Sequence, residues 1–244
     1  GELSYPNATD EAREATLQFF GYMLCQEKNG YPLRPDVRYY QMGSNEWRST
    51  SDWKSVATAT RTFYLHDGDL LSPELPLSGA ARKSFLSDPR DPSPSYGGAR
   101  FNPFDPTAVA GPLDLRLAVE SRSDVLRFST QPLTENLEIA GPVTVDLYVS
   151  SDRTDTDLSV RLCDVYPDGR SMIMADGIAR ARFRNGVDKQ EFLTPGQAAR
   201  VTVTLQNIAL TLLKDHRLRI VVGSSNYPRF DVNLNNGGAM YTAG

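Results

Sequence analysis

The sequence has little of what enzymes most often use. Among 244 residues there are 2 cysteines, 2 histidines and 2 tryptophans. A structural or catalytic zinc site needs three or four imidazole or thiolate ligands, and this inventory does not assemble one. Cys25 and Cys163 sit in an expected helix and an expected strand, and two lone cysteines read as buried free thiols rather than a disulfide. No Gly-x-Ser-x-Gly elbow is present: Gly43-Ser44 and Gly223-Ser224-Ser225 do not complete one. There is no run of about 18 apolar residues, so no membrane-spanning helix is expected. Residues 1–10 lack the basic, apolar and small-residue order of a signal peptide. The 26 basic and 30 acidic residues are well mixed, with net charge −4. No basic stripe of the kind that binds nucleic acid is expected.

Helical periodicity is also scarce. It is convincing only over residues 10–28, where Leu17, Phe20, Met23 and Leu24 repeat at helical spacing. Thr9 or Asp10 suits the N-cap, Glu11 and Glu14 suit the positive end, and Asn29-Gly30 with Pro32 beyond marks the stop. No later helix is available to cover this stripe. Its partner is either a β domain of this chain or a part of the protein outside it.

From residue 36 the pattern is β. Strands are expected over 37–42, 60–66, 125–129, 143–149, 158–162, 172–184, 201–205 and 218–222, with 137–139 leading into Gly141-Pro142. Val143, Val145, Leu147 and Val149 alternate with Thr144, Asp146, Tyr148 and Ser150, which is the period of a half-buried strand. Pro167-Asp168-Gly169 is a turn in which Pro presets φ and Gly accepts a positive one. Residues 45–48 and 52–53, carrying Trp47 and Trp53, read as a loop. Residues 70–104 read as one long Pro-, Ser-, Gly- and Asp-rich loop. Short strands with turn signals between them, and no interleaved helices, indicate a β-sandwich or jelly roll rather than a parallel α/β sheet.

Candidate chemistry is thin. His66 and His216 stand at a strand end and in a turn, and each has a structural role available as a turn residue with a satisfied ring. Asp152, Asp155 and Asp157 could offer hard oxygens to Ca²⁺, but the loop lacks the glycine and distal glutamate of an EF-hand. It reads as a hairpin turn whose Asp and Thr side chains bond their own backbone. Asp88, Asp91 and Asp105 in the long loop read the same way. No metal and no cofactor are expected. The loop aromatics Tyr96, Phe101 and Phe104 could stack on a sugar, line an apolar pocket or plug the end of a sandwich. Trp47 and Trp53 read as structural.

Several blocks, in order, resemble the CocE/NonD hydrolases, which include X-Pro dipeptidyl peptidases, cocaine esterase and α-amino acid ester hydrolases. They are DVRYYQMGSNEWR at 36–48, FYL at 63–65, DPSPSYGG at 91–98 and DVLRFSTQPLTE at 124–135. TDTD at 154–157, VYPDGR at 165–170, DGIARARFR at 176–184, HRLR at 216–219 and SSNYPRFD at 224–231 follow. The resemblance covers residues 30–236. It implies a two-part serine hydrolase: an α/β-hydrolase domain with a Ser-Asp-His triad, and a C-terminal jelly roll like galactose-binding folds. Residues 1–34 would then be the tail and last helix of the hydrolase domain, and 35–244 the jelly roll. The triad would lie upstream of this chain, and His66 and His216 fall on non-catalytic family positions.

On this resemblance the chain has no catalytic residue of its own. It is expected to complete the substrate cleft and stabilise the catalytic domain of a parent that cleaves ester or X-Pro amide bonds. Its partners would be that domain of the same polypeptide and the parent's small ester or peptide substrate. Tyr96, Arg100, Phe101 and Phe104 are the candidates for lining the acyl or amine pocket. The competing reading is a stand-alone carbohydrate-binding module with Tyr96, Phe101 or Trp47 as stacking platform. A third is a homo-oligomer held through the apolar stripe of the helix.

Overall fold

A computed structural model describes residues 1–8, 11–35, 37–77, 82–100, 102, 104–105 and 108–239. One helix, α1 (Glu11–Cys25), precedes twelve short strands: β1 (Val37–Gln41), β2 (Glu46–Thr50), β3 (Tyr64–His66), β4 (Leu70–Ser72), β5 (Leu126–Ser129), β6 (Leu137–Gly141), β7 (Thr144–Val149), β8 (Asp157–Val165), β9 (Ser171–Arg180), β10 (Ala199–Thr204), β11 (Ile208–Leu212) and β12 (Arg217–Gly223). The larger sheet runs β3-β4-β5-β12-β8-β9. All its pairings are antiparallel except the parallel contact of β4 with β5. Opposite it lie the pairs β1-β2, β6-β11 and β7-β10. The first two of these join through Met42, whose N–H donates to the Ala209 carbonyl and whose carbonyl accepts from Thr211.

The sandwich core follows from strand alternation. Leu158, Val160 and Leu162 of β8 and Leu218, Ile220 and Val222 of β12 meet Val201 and Val203 of β10 and Ile208, Leu210 and Leu212 of β11. Each such side chain contributes about 1.5–3 kcal/mol by leaving water. The large sheet is covered on its other face as well. There Val221, Cys163 and Ile173 pack under Leu115, Val119 and Val125, around the π-helical turn Arg116–Glu120. All nine residues of β8 are therefore buried, polar ones included.

Several expectations need correction. Of residues 45–48, read as loop, 46–48 fall in β2, so Trp47 stands in a strand. Only the last three residues of the expected strand 60–66 pair, and the long loop begins with β4. The strand expected to reach 184 ends at Arg180 and gives way to the 3-10 turn Ala181–Phe183. β11 was not foreseen, because all five of its residues are buried and it carries no alternation. The turn at 166–170 forms as expected: Tyr166 N–H donates to the Arg170 carbonyl, and Gly169 adopts φ 88°.

The helix stops at Cys25 rather than 28. The proposed caps Thr9 and Asp10 lie outside the described residues. Its neighbour is the turn Tyr31–Leu33: Phe19 and Tyr22 pack on Tyr31 at ring-centroid distances of 5.4 and 5.7 Å. Leu17, Phe20, Met23 and Leu24 remain exposed, Leu24 by 74%. Both cysteines are free, but Cys25 is exposed and only Cys163 is buried.

Candidate functional site

The loop carrying Tyr96 is held from two sides. Along 93–96 it pairs with a second loop: Ser95 N–H donates to the Tyr227 carbonyl at 2.5 Å, and Tyr227 N–H donates to the Ser93 carbonyl at 3.1 Å. Side chains add to this ladder. Ser225 Oγ accepts from Ser93 N–H at 2.7 Å, and Ser95 Oγ donates to the Asn226 carbonyl at 2.7 Å. Beyond Tyr96, Gly98 and Gly111 exchange backbone hydrogen bonds at 2.8 and 2.7 Å. Gly97 has φ 67°, and a Cβ there would stand 2.7 Å from the Gly111 carbonyl oxygen. Only glycine fits both demands.

Asp176 ties the second loop to the sheet. Its carboxylate accepts from Arg229 Nη1 at 2.5 Å, Asn226 Nδ2 at 2.9 Å and Gln206 Nε2 at 3.0 Å. Sequence reasoning did not single out Asp176, Asn226 or Arg229. The available signal was an acid inside the strand 172–184.

Of the four candidate residues, Tyr96 is half-exposed and Phe104 is 93% exposed. The Arg100 guanidinium is engaged within its own loop. It donates to the Ser95 carbonyl at 3.2 Å and to Asp105 Oδ2 at 2.8 Å. Phe101 lies outside the described residues. The loop therefore offers apolar and aromatic surface, with Arg100 as its brace.

The two histidines are not brought to this loop's ladder. His66 Nε2 hydrogen-bonds with the Glu74 carbonyl at 2.9 Å. His216 Nδ1 stands 2.7 Å from Asp164 Oδ1, and its ring lies 4.4 Å from that of Tyr166. Asp164, Tyr166 and His216 line a cavity of about 140 Å³, together with Leu3, Tyr5 and Met174. Burial pushes the Asp164 carboxyl up, and His216 opposes that rise. Burial, then the charges of Tyr166 and Asp164, push the Tyr5 hydroxyl up. An Asp–His pair orients an imidazole as a base. Among the described residues, however, no hydroxyl or thiol hydrogen-bonds to the His216 ring, so the pair braces β8 against the turn before β12.

The acidic turn is likewise structural: Thr156 Oγ1 donates to the Asp157 carbonyl within the turn at 3.5 Å, while its buried acids find partners outside it. Asp155 accepts from Arg182 Nε at 2.7 Å. Asp157 takes Arg180 in a two-pronged pair at 2.8 and 2.9 Å, and Asn233 Nδ2 donates to both acids. Trp47 is a fastener for the N-terminal segment: its Nε1 donates to the Asn7 carbonyl at 2.6 Å, and Tyr40 Oη donates to the Pro6 carbonyl at 2.6 Å. Trp53 packs edge-on against Tyr39 at 5.4 Å.

Comparison with known proteins decides the family. Residues 29–242 match the family described as the X-Pro dipeptidyl-peptidase C-terminal non-catalytic domain. The chain belongs to that family. It is 36% identical over 246 residues to a cocaine esterase from Rhodococcus sp. (strain MB1 Bresler), aligned over 96% of this chain and 42% of that protein. An aminopeptidase structure from a marine-sediment Thaumarchaeota archaeon superposes with TM-score 0.83 at 27% identity, covering all of this chain and 42% of the other. An α-amino acid ester hydrolase superposes with TM-score 0.77 at 29% identity, covering 93% and 39%. This is the non-catalytic C-terminal β-sandwich of CocE/NonD-type hydrolases, as the resemblance implied. The chain spans about two fifths of the length of these relatives.

Proposed function

We propose that this chain completes the substrate cleft of a serine hydrolase, cleaving ester or X-Pro amide bonds, and stabilises its α/β-hydrolase domain. That domain would belong to the same polypeptide. In this reading residues 1–34 are the end of the hydrolase domain and 35–244 the jelly roll. The supporting observation is α1: a 15-residue helix whose apolar stripe has no cover in the sandwich. Exposed stripes of this kind mark an interface. Leu75, Leu77, Leu86 and Phe104 of the long loop are exposed too, which suits a second body packing on that loop. Tyr96 and Phe104 would meet the substrate's acyl or amine group, with Phe101 between them in sequence and Arg100 holding the loop's shape.

Two measurements test this reading. The purified chain should hydrolyse neither p-nitrophenyl esters nor X-Pro-p-nitroanilides, and turnover blocked by a serine-directed probe would refute it. In the full-length hydrolase, Tyr96→Ala should raise KM for the ester or amide with little loss of kcat. Glycan binding by the isolated chain that vanishes in Tyr96→Ala would instead favour a carbohydrate-binding module.

A further inference from the structure

The two paired loops have an inner and an outer face, and burial tells them apart. Ser93, Ser95 and Asn226 are buried, whereas Tyr96 is 38% and Tyr227 47% exposed. Pro94 bridges Tyr227 in parallel, and residues opposite each other in such a pair share a face. Alternation carries that face from Pro94 to Tyr96. Pro94, Tyr96 and Tyr227 therefore look outward, above the serines and Asn226. The inner face is fixed to the fold: Asn226 Nδ2 donates to Asp176 of β9 at 2.9 Å, and Ser95 Oγ accepts from the Arg229 N–H at 3.1 Å.

Spacing and chemistry then limit what the outer face can take. A rise of about 3.3 Å per residue and about 4.8 Å between strands set the Tyr96 and Tyr227 Cα atoms about 8 Å apart. One ring held between two others needs two contact distances of about 3.5–4.0 Å, about 7–8 Å in all. The gap matches a single ring, with Pro94 as its floor. Among the described residues neither phenol hydroxyl has a hydrogen-bond partner. The arginines of both loops are engaged with acids of this chain: Arg90 with Asp88, Arg100 with Asp105 and Arg229 with Asp176. A carboxylate guest would need one of them. A ring without charge needs none.

We propose that Tyr227 is a specificity residue of the parent hydrolase. With Tyr96 it grips one uncharged ring of the substrate, aromatic or prolyl, between two phenols and over Pro94. This rests on the reading that Tyr96 meets the substrate, and adds the second wall and the kind of group held there.

The test compares KM in the full-length hydrolase for two substrates that differ in a ring: benzoyl and butyryl esters of one aliphatic alcohol, or X-Pro and X-Ala dipeptide amides. Tyr227→Ala should raise KM for the ring-bearing substrate about three- to tenfold, the effect of losing one aromatic stack. Its kcat, and KM for the ringless substrate, should change little. Tyr227→Leu, which keeps apolar bulk, should behave like Tyr227→Ala, and Tyr227→Phe, which keeps the ring, should restore KM. Melting temperatures equal to the wild type are expected for all three, since the side chain is exposed. An equal KM rise on both substrates would overturn the ring preference. A raised KM in Tyr96→Ala beside an unchanged one in Tyr227→Ala would overturn the slot and leave the reading of Tyr96 standing. KM unmoved by either variant would sink both.

Discussion

Asp155→Ala should be among the most damaging single changes in the sandwich. The carboxylate is fully buried, and the Arg182 side chain it holds is 4% exposed. It accepts from Arg182 Nε at 2.7 Å, from the Arg182 backbone N–H at 2.9 Å and from Asn233 Nδ2 at 2.9 Å. Removing one partner of a buried pair costs about 3–5 kcal/mol, because the other charge stays buried and unpaired. Two contacts soften the loss. Arg182 still donates to the Gly238 carbonyl at 3.0 Å and stands 5.0 Å from the Phe192 ring centroid. Asn233 keeps Asp157 at 2.8 Å. The lower end, about 3 kcal/mol, is the expected cost. Glu138→Ala is the control: it breaks the bonds to Arg48 at 2.8 and 2.9 Å, but on the surface, where a pair contributes about 0–1 kcal/mol. In urea denaturation followed by tryptophan fluorescence, an m-value of about 2–3 kcal/mol/M makes the Asp155→Ala midpoint fall by about 1 M. A shift no larger than that of Glu138→Ala would refute the claim that the acidic turn is a buried electrostatic clamp.

Three further outcomes are expected. Cys25 should react with Ellman's reagent in the folded chain and Cys163 only after unfolding, since burial pushes the Cys163 thiol far up, with the Glu120 charge adding to it; equal rates would contradict this. Gly97→Ala should cost more than the about 1–2 kcal/mol of a left-handed residue, because the new Cβ meets the Gly111 carbonyl. Gly196→Ala, also at positive φ but with open space around it, should cost only the conformational part, and thermal melts compare the two. Acid should destabilise the fold. The Arg48 guanidinium holds Glu138 below its ordinary range, and Arg200 and Thr202 do the same for Asp146. Burial raises Asp114, but Arg116 and the Ser171 N–H outweigh it and it too is held low. Carboxylates with depressed folded values add stability above their unfolded values of about 4 and lose it as pH falls through the folded ones. Urea midpoints should therefore drop below about pH 4, less steeply in Glu138→Gln.

The core was legible where one face alternates and the other is plain. Leu158, Val160 and Leu162 announced β8, and Pro167-Asp168-Gly169 announced the turn to β9. Periodicity says nothing about what covers the second face. Asp157, Ser159 and Arg161 sit at the positions a solvent-facing side would occupy, yet each is buried. The partners of Asp157 and Arg161 come from residues 93–94, 180, 225 and 233, distant in sequence and joined only by the fold. β11 was lost for the complementary reason: buried on both sides, it has no polar alternation to betray it. The candidate loop was legible in its aromatics and its Gly97-Gly98 pair, but not in the role of Arg100, because a surface arginine and a loop brace look alike in one dimension.

The polar second face explains how a domain without a nucleophile can hold precise loops. An apolar sheet face would fix the loops above it only by shape. Here each loop is keyed to a strand by a directional contact: 93–95 and 225 to Arg161, 226 and 229 to Asp176, and 233 to Asp155 and Asp157. Breaking one key leaves a buried charge unpaired, so each loop is held by the cost of the alternative as much as by the contact itself. That arrangement leaves α1 and the exposed apolar residues of the long loop on the outside, with the electrostatic fastenings within.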